Sequence, residues 1–235
     1  MNQLSIKLGY WSALLSAATF IIFSLCFIAI VILNPLFFWT DYADYVAYTN
    51  ENNQFFKDLA QFMMLAFGPL FLILLNSIHD YAAEDKKVLS RLAIYLGIIF
   101  AAMISVNYFV QLSIVRQNLS HGRPQGLEQF IQANPASFIT AVNMLGWTLF
   151  FGLSCFFLAP LFHGGKLEKI IRIAFLANGI FMILGGISYI FEIVVLVFLF
   201  MNFGMGGAIM VATFSLAILF RRLGKAVPPL TANPA

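Results

Sequence analysis

The sequence predicts an all-α fold, a six-helix transmembrane bundle forming one domain over residues 1–235, and three observations carry that expectation. The chain is 61% hydrophobic and 10% charged, whereas soluble domains run near about 45–50% and about 25%. Its apolar residues fall in runs of roughly the 20 residues that a bilayer core of about 30 Å requires of a helix. Its lysines and arginines gather between alternate runs, as cytoplasmic loops do. The 27 phenylalanines agree, because one soluble core of this length could not hide so much aromatic surface. The first implied partner is therefore the lipid bilayer.

The first run lies near 10–34 behind Lys7. It is longer than a signal-peptide core and no small-residue cleavage site follows it, so it reads as a retained helix. Further spans lie near 58–78, 91–114 and 136–160. The last apolar stretch, 170–220, would reach about 77 Å as a single helix at 1.5 Å per residue. It must fold into two spans, near 170–192 and 195–220, although no Gly, Pro or Asn marks the turn. On this map Lys7, Lys86, Lys87, Arg91, Lys166, Lys169, Arg172, Arg221, Arg222 and Lys225 share one side, and Lys57, Arg116 and Arg123 take the other. Ten basic residues against three put both termini in the cytoplasm.

Local signals refine the spans. Pro135 suits the start of the fourth helix, where its missing donor costs nothing, and Pro160 suits its end. Gly68 and Pro69 predict a kink inside the second. Gly204, Ala208 and Ala212, four residues apart, give the sixth a face for close helix contact. The Asn34-Pro35 and Asn134-Pro135 pairs end one span and begin another, so they mark no internal repeat of the kind many transporters carry.

Two longer loops face outward. In "TDYADYVAYTNENNQFFKD", Thr40 suits an N-cap, with Tyr42, Tyr45, Val46 and Thr49 on one helical face behind it, which predicts a short interfacial helix. Leu127, Phe130 and Ile131 form a similar apolar edge in the second loop. These edges read either as aromatic anchors at headgroup level or as covers over a cavity between the spans. Asn118-Leu119-Ser120 matches a glycosylation sequon, which has meaning only in a eukaryotic host.

Polar side chains within the spans must find partners, so their placement is informative. Asn107 and Gln111 stand one turn apart on one face. Counted from Arg116 and Pro135, Asn107 and Asn143 lie at matching depths of about 12 to 14 Å. Gln61, Tyr108, Tyr189, Glu192 and Asn202 add polar atoms in the same outer half. Two readings follow. These groups are interhelical hydrogen-bonding contacts, each worth about 0.6 kcal/mol, or they line an outward-facing pocket between the third, fourth and sixth spans. In the pocket reading the ligand-binding residues are Asn107, Gln111, Asn143, Tyr108 and Asn202, with Glu192 or Arg116 supplying charge.

Other chemistry has little support. Cys26 and Cys155 sit in apolar spans without metal or redox spacing and read as small buried hydrophobes. His79, Asp80 and His163 occupy two loops of the cytoplasmic side with no ligand-spacing motif, and no metal or other cofactor is implied. No GxSxG, HExxH, SxxK, phosphate-loop or dinucleotide pattern occurs, which weakens an enzyme reading without removing it. The basic residues are topology signals, not a nucleic-acid footprint.

The segments "SVNYFVQLSIVRQNL" and "LAPLFHGGKLEKIIRIAFLANGI" resemble a family of uncharacterised small bacterial multi-pass membrane proteins. The resemblance implies a bacterial cytoplasmic membrane and assigns no site residue. The function expected from the residues is binding or sensing of a small or amphipathic ligand, or an accessory role, through the outward pocket. The alternatives are a small-solute transporter, for which only Asn178 and Asn76 extend polarity into the inner half, and an intramembrane enzyme.

The topology is directly testable. A cytoplasm-dependent reporter fused at residue 1 or 235 is expected to be active at both ends, and Gly122→Cys is expected to react with an impermeant thiol reagent in intact cells. Labelling of Gly164→Cys instead inverts the bundle.

Overall fold

The structure, a computed structural model, describes residues 1–226; residues 227–235, expected within the same domain, lie outside the described residues. It is 84% helical, with no strand among the described residues. Six helices are each long and apolar enough to cross a membrane: α1 (Gln3–Leu33), α3 (Phe55–Tyr81), α4 (Glu84–Ser120), α5 (Phe138–Leu161), α6 (Lys166–Ile190) and α7 (Val194–Ala226). The short α2 (Tyr42–Glu51) precedes α3. This architecture supports a multi-pass membrane protein.

Capping side chains fix where the helices begin. Asn2 accepts from the Ser5 amide at 2.8 Å to start α1. Asp41, not the expected Thr40, caps α2 by accepting from the Asp44 amide at 2.9 Å. Thr40 instead donates to the Asp44 carboxylate at 2.7 Å. Ser137 caps α5 two residues after Pro135. Proline has no side-chain acceptor for an orphan first-turn amide, so the α5 cap falls on Ser137, and Thr40, its hydroxyl engaged by the Asp44 carboxylate, leaves the α2 cap to Asp41. α3 continues through Pro69 without leaving the helical conformation.

The turn between α6 and α7, unmarked in sequence, is a Schellman-type ending. The Ile193 amide bonds to the Ser188 carbonyl at 2.8 Å and the Glu192 amide to the Tyr189 carbonyl at 3.1 Å. Glu192 occupies the left-handed position at φ 57° that glycine ordinarily takes.

The six long helices form a ring in which each packs on its neighbour in chain order, closing where α1 meets α7. The start of α1, the end of α3 and the end of α7 share one end of the bundle. There Ser5 donates to Asp80, and a Cβ on Gly9 would come within 2.8 Å of the Phe220 ring. This is the basic end; the two longer loops occupy the opposite, loop end. Exposed Leu25, Ile32, Phe109, Ile173 and Phe203 form part of the outer apolar surface.

Aromatic rings fill the middle. Phe20 of α1, Phe67 and Phe71 of α3, Phe100 of α4, and Trp147 and Phe151 of α5 make one continuous cluster. Its centroid separations include 4.7 Å for Phe100–Phe151 and 4.8 Å for both Phe20–Phe67 and Phe100–Trp147. Most pairs meet edge to face, the arrangement favoured by ring quadrupoles.

Small residues set the closest crossing, but not only where the sequence suggested. Gly204 receives the Phe181 ring, where a Cβ would come within 2.6 Å, and Ala212 is fully buried. The backbone-to-backbone approach lies between α5 and α6: a Cβ on Gly179 would stand 3.0 Å from the Gly152 carbonyl oxygen. Backbone cannot move aside as a side-chain tip can. Gly179→Val is therefore expected to destabilise the bundle by about 1–3 kcal/mol. Gly207→Val, at a site with nothing within 4 Å of the added Cβ, serves as the control in thermal melts of the detergent-solubilised protein.

Candidate functional site

Three of the long helices contain a stretch with π-type i→i+5 bonding: Gln111–Val115 in α4, Gly146–Phe151 in α5 and Leu199–Met205 in α7. Such turns widen a helix and re-aim its side chains, and they recur at functional sites. Here two of them border a half-open cavity of about 350 Å³ at the loop end, supplying Trp147 from α5 and Met201, Asn202 and Met205 from α7. The α4 stretch begins three residues beyond Tyr108, which also lines it. Asn178 of α6 reaches across to donate to the Met205 carbonyl at 3.3 Å, partnering a backbone group within the widened turn.

The cavity is asymmetric. Its apolar walls are Phe20, Phe23 and Phe27 of α1 facing Met201 and Met205 of α7, with Trp147 from the aromatic cluster between them. Its polar side carries Lys57 and Gln61 of α3, Tyr108 of α4, Gln132 of the second loop, and Thr140 and Asn143 of α5. Lys57 and Gln61 are four residues apart and so share a helical face. The Tyr108 side chain interacts with those of Trp147, Gln132 and Asn143. Two buried acceptors lack a partner here, Asn143 Oδ1 and Gln61 Oε1. Gln61 Nε2 makes one long bond, 3.4 Å, to Gln132 Oε1.

The two longer loops pack on each other above this space. Tyr45 of α2, Val115 of α4, and Leu127 and Ile131 of the second loop are buried together, flanked by Phe37, Trp39 and Tyr42. The Tyr42 hydroxyl donates to the Pro124 carbonyl. Burial pushes the Tyr45 hydroxyl above its ordinary value, and the Asp58 charge adds to the effect, so the ring stays neutral. The Lys57 ammonium lies 5.8 Å from the centre of that ring, within cation–π range.

Of the residues singled out from sequence, Asn143, Tyr108 and Asn202 line the cavity. Asn107 is 0% exposed with both amide atoms unpartnered and is not among the lining residues. Gln111 holds the second loop: its Nε2 donates to the Phe130 carbonyl at 2.6 Å and its Oε1 accepts from the Gln132 amide at 3.1 Å. Arg116 pairs with Asp58 at 3.1 Å. Glu192 is exposed at the α6–α7 turn and borders a separate surface groove with Tyr189, whose hydroxyl donates to the Pro135 carbonyl at 2.7 Å.

Sequence reasoning missed Lys57, Gln132 and Thr140. The four-residue spacing of Lys57 and Gln61 was readable, whereas Gln132 reaches the cavity through a loop path that no periodicity encodes. At the basic end His79 Nδ1 lies 2.7 Å from the Ser90 hydroxyl, and His163 Nδ1 lies 3.1 Å from Lys86 Nζ. No group of three or more metal-ligating side chains occurs among the described residues.

Gln111→Leu would remove both part-buried bonds to the Phe130 carbonyl and the Gln132 amide, at about 0.5–1.5 kcal/mol each. Hydrogen exchange of residues 127–134 is expected to accelerate in that variant while exchange at the basic end stays unchanged.

No protein family, no curated protein and no solved structure matches this chain.

Proposed function

We propose that this protein binds a small amphipathic ligand in the loop-end cavity, acting in binding, sensing or an accessory role, with that end facing outward from a bacterial cytoplasmic membrane. The observation that carries the reading is the buried Asn143 Oδ1, 5% exposed as a residue and without a partner, bordering a cavity with one apolar and one polar side. A buried acceptor without a donor costs about 1–3 kcal/mol. A ligand that donates to it recovers that cost on binding, which couples occupancy to the polar side. The apolar side accepts a chain, and pockets of about 300–1,000 Å³ suit small ligands. A volume near the lower bound holds a headgroup and the start of a chain. The rest would leave between α1 and α7, where the Phe27 and Phe198 rings face each other at 6.2 Å.

The polar side chains have separate duties in this reading. Asn143 and Gln61 accept from the ligand, Tyr108 offers a hydroxyl, and Gln132 is held in place by Thr140, whose hydroxyl donates to the Gln132 carbonyl at 2.9 Å, and from outside the cavity by Gln111.

Asn143→Leu separates binding from interhelical bonding. Replacing this amide, whose oxygen has no partner and whose side chain also meets that of Tyr108, with an isosteric apolar group is expected to leave ligand-free thermal stability within about 1.5 kcal/mol of the parent. Stabilisation by added membrane-lipid extract, measured as a melting shift in detergent, is expected to shrink. A variant that is much less stable without lipid, yet gains the parent's full shift with it, overturns the assignment.

A further inference from the structure

Lys57 is the one charged side chain among the residues that line the cavity. It is half-buried, and among the described residues no carboxylate pairs with it. The adjacent Asp58 is engaged by Arg116 at 3.1 Å. The Tyr45 ring offers the ammonium a neutral face at 5.8 Å and no counter-charge. Lys57 also sits in the first turn of α3, where the helix dipole adds positive potential. A cation in this position lowers the free energy of an anion bound beside it, and more so where the low-dielectric apolar walls replace part of the surrounding water.

The remaining polar atoms restrict the anion further. Gln61 Oε1, one turn along α3 from Lys57, and Asn143 Oδ1 across the cavity are unpartnered acceptors. A bare anion offers them nothing, since it has no hydrogen to donate. A headgroup that satisfies the site carries hydroxyl donors beside its negative charge. The opposite wall, Phe23 and Phe27 against Met201 and Met205, suits a hydrocarbon chain.

We propose that the cavity selects an anionic amphiphile with a hydroxylated headgroup, the chemistry of a phosphoglycerol lipid, with the anion on Lys57, the hydroxyls on Gln61 and Asn143, and the chain between α1 and α7. This rests on the binding reading above and adds to it the class of ligand. The same headgroup chemistry exists as free glycerol phosphate, so the lipid and the soluble ion are separate arms of the test.

The full chain in detergent is titrated with phosphatidylglycerol, phosphatidylcholine, diacylglycerol and glycerol 1-phosphate, with retention read by native mass spectrometry and melting shift. Phosphatidylglycerol is expected to bind about ten- to hundredfold more tightly than phosphatidylcholine, the range for one hydrogen bond to a charged group. Lys57→Gln is expected to abolish that preference while diacylglycerol binding persists, and Lys57→Arg to retain most of it. Equal binding of the three lipids, still lost in Asn143→Leu, overturns the headgroup assignment and leaves the amphiphile reading standing. Binding of none overturns both. Glycerol 1-phosphate binding as tightly as the lipid overturns the place given to the chain.

Discussion

The aromatic cluster at mid-bundle is the interaction on which the remaining geometry depends. Between helices in lipid there is little hydrophobic driving force, since the tails are as apolar as the side chains, and association rests on shape and close packing. Phe20, Phe67, Phe71, Phe100, Trp147 and Phe151 supply that packing from four helices at one level. Rigid rings meeting edge to face fix spacing as well as contact. Trp147 is both a member of the cluster and a wall of the cavity, so the cavity begins where ring packing gives way to mixed side chains. A position that serves both roles ties cavity shape to bundle stability.

The widened turns follow the same division. The basic end has no such widened turn among the described residues, and it is closed tightly enough that the Phe220 ring leaves no room for a Cβ on Gly9. Toward the loop end α4, α5 and α7 each adopt i→i+5 bonding over five to seven residues. In lipid each displaced backbone group needs a substitute partner. Asn178 provides one at Met205, and the Thr148 hydroxyl adds a bond to the Met144 carbonyl at 2.7 Å within α5. The deep Asn178, which a transport path would call on, thus has a local structural partner for its Nδ2.

Much of the architecture was legible because lipid imposes a one-dimensional constraint, a minimum apolar length, that can be counted along a chain. Six apolar helices long enough to cross a membrane lie within seven residues of the expected limits, and at the start of α5 the difference is set by the Ser137 cap. The α6–α7 turn was not legible because Glu192 takes the left-handed position usually marked by glycine. The cavity residues were legible only in part. Shared depth grouped Asn107 with Asn143, but depth says nothing of which side of a bundle a residue faces. Both are buried, but Asn143 borders the cavity and Asn107 does not. The widened turns had no signal at all, because a one-residue change in hydrogen-bond register leaves composition and periodicity nearly unaltered.

Charge at the loop end is distributed so that the one cation lining the cavity has no ion-pair partner among the described residues. Three basic residues lie on that side of the map, and Arg116 of α4 is matched by Asp58 of α3, with side chains 64% and 21% exposed. A pair so open to solvent contributes about 0–1 kcal/mol to stability. Its larger effect is positional: it holds the Asp58 carboxylate against the α4 guanidinium, so that Asp58 acts on Lys57 through space and not as an ion-pair partner. Tyr45 completes the arrangement, since a neutral ring stabilises an ammonium without cancelling its charge. The interfacial helix α2 therefore does more than cover the space, because it holds the ring that keeps a charged side chain tolerable at the edge of hydrocarbon.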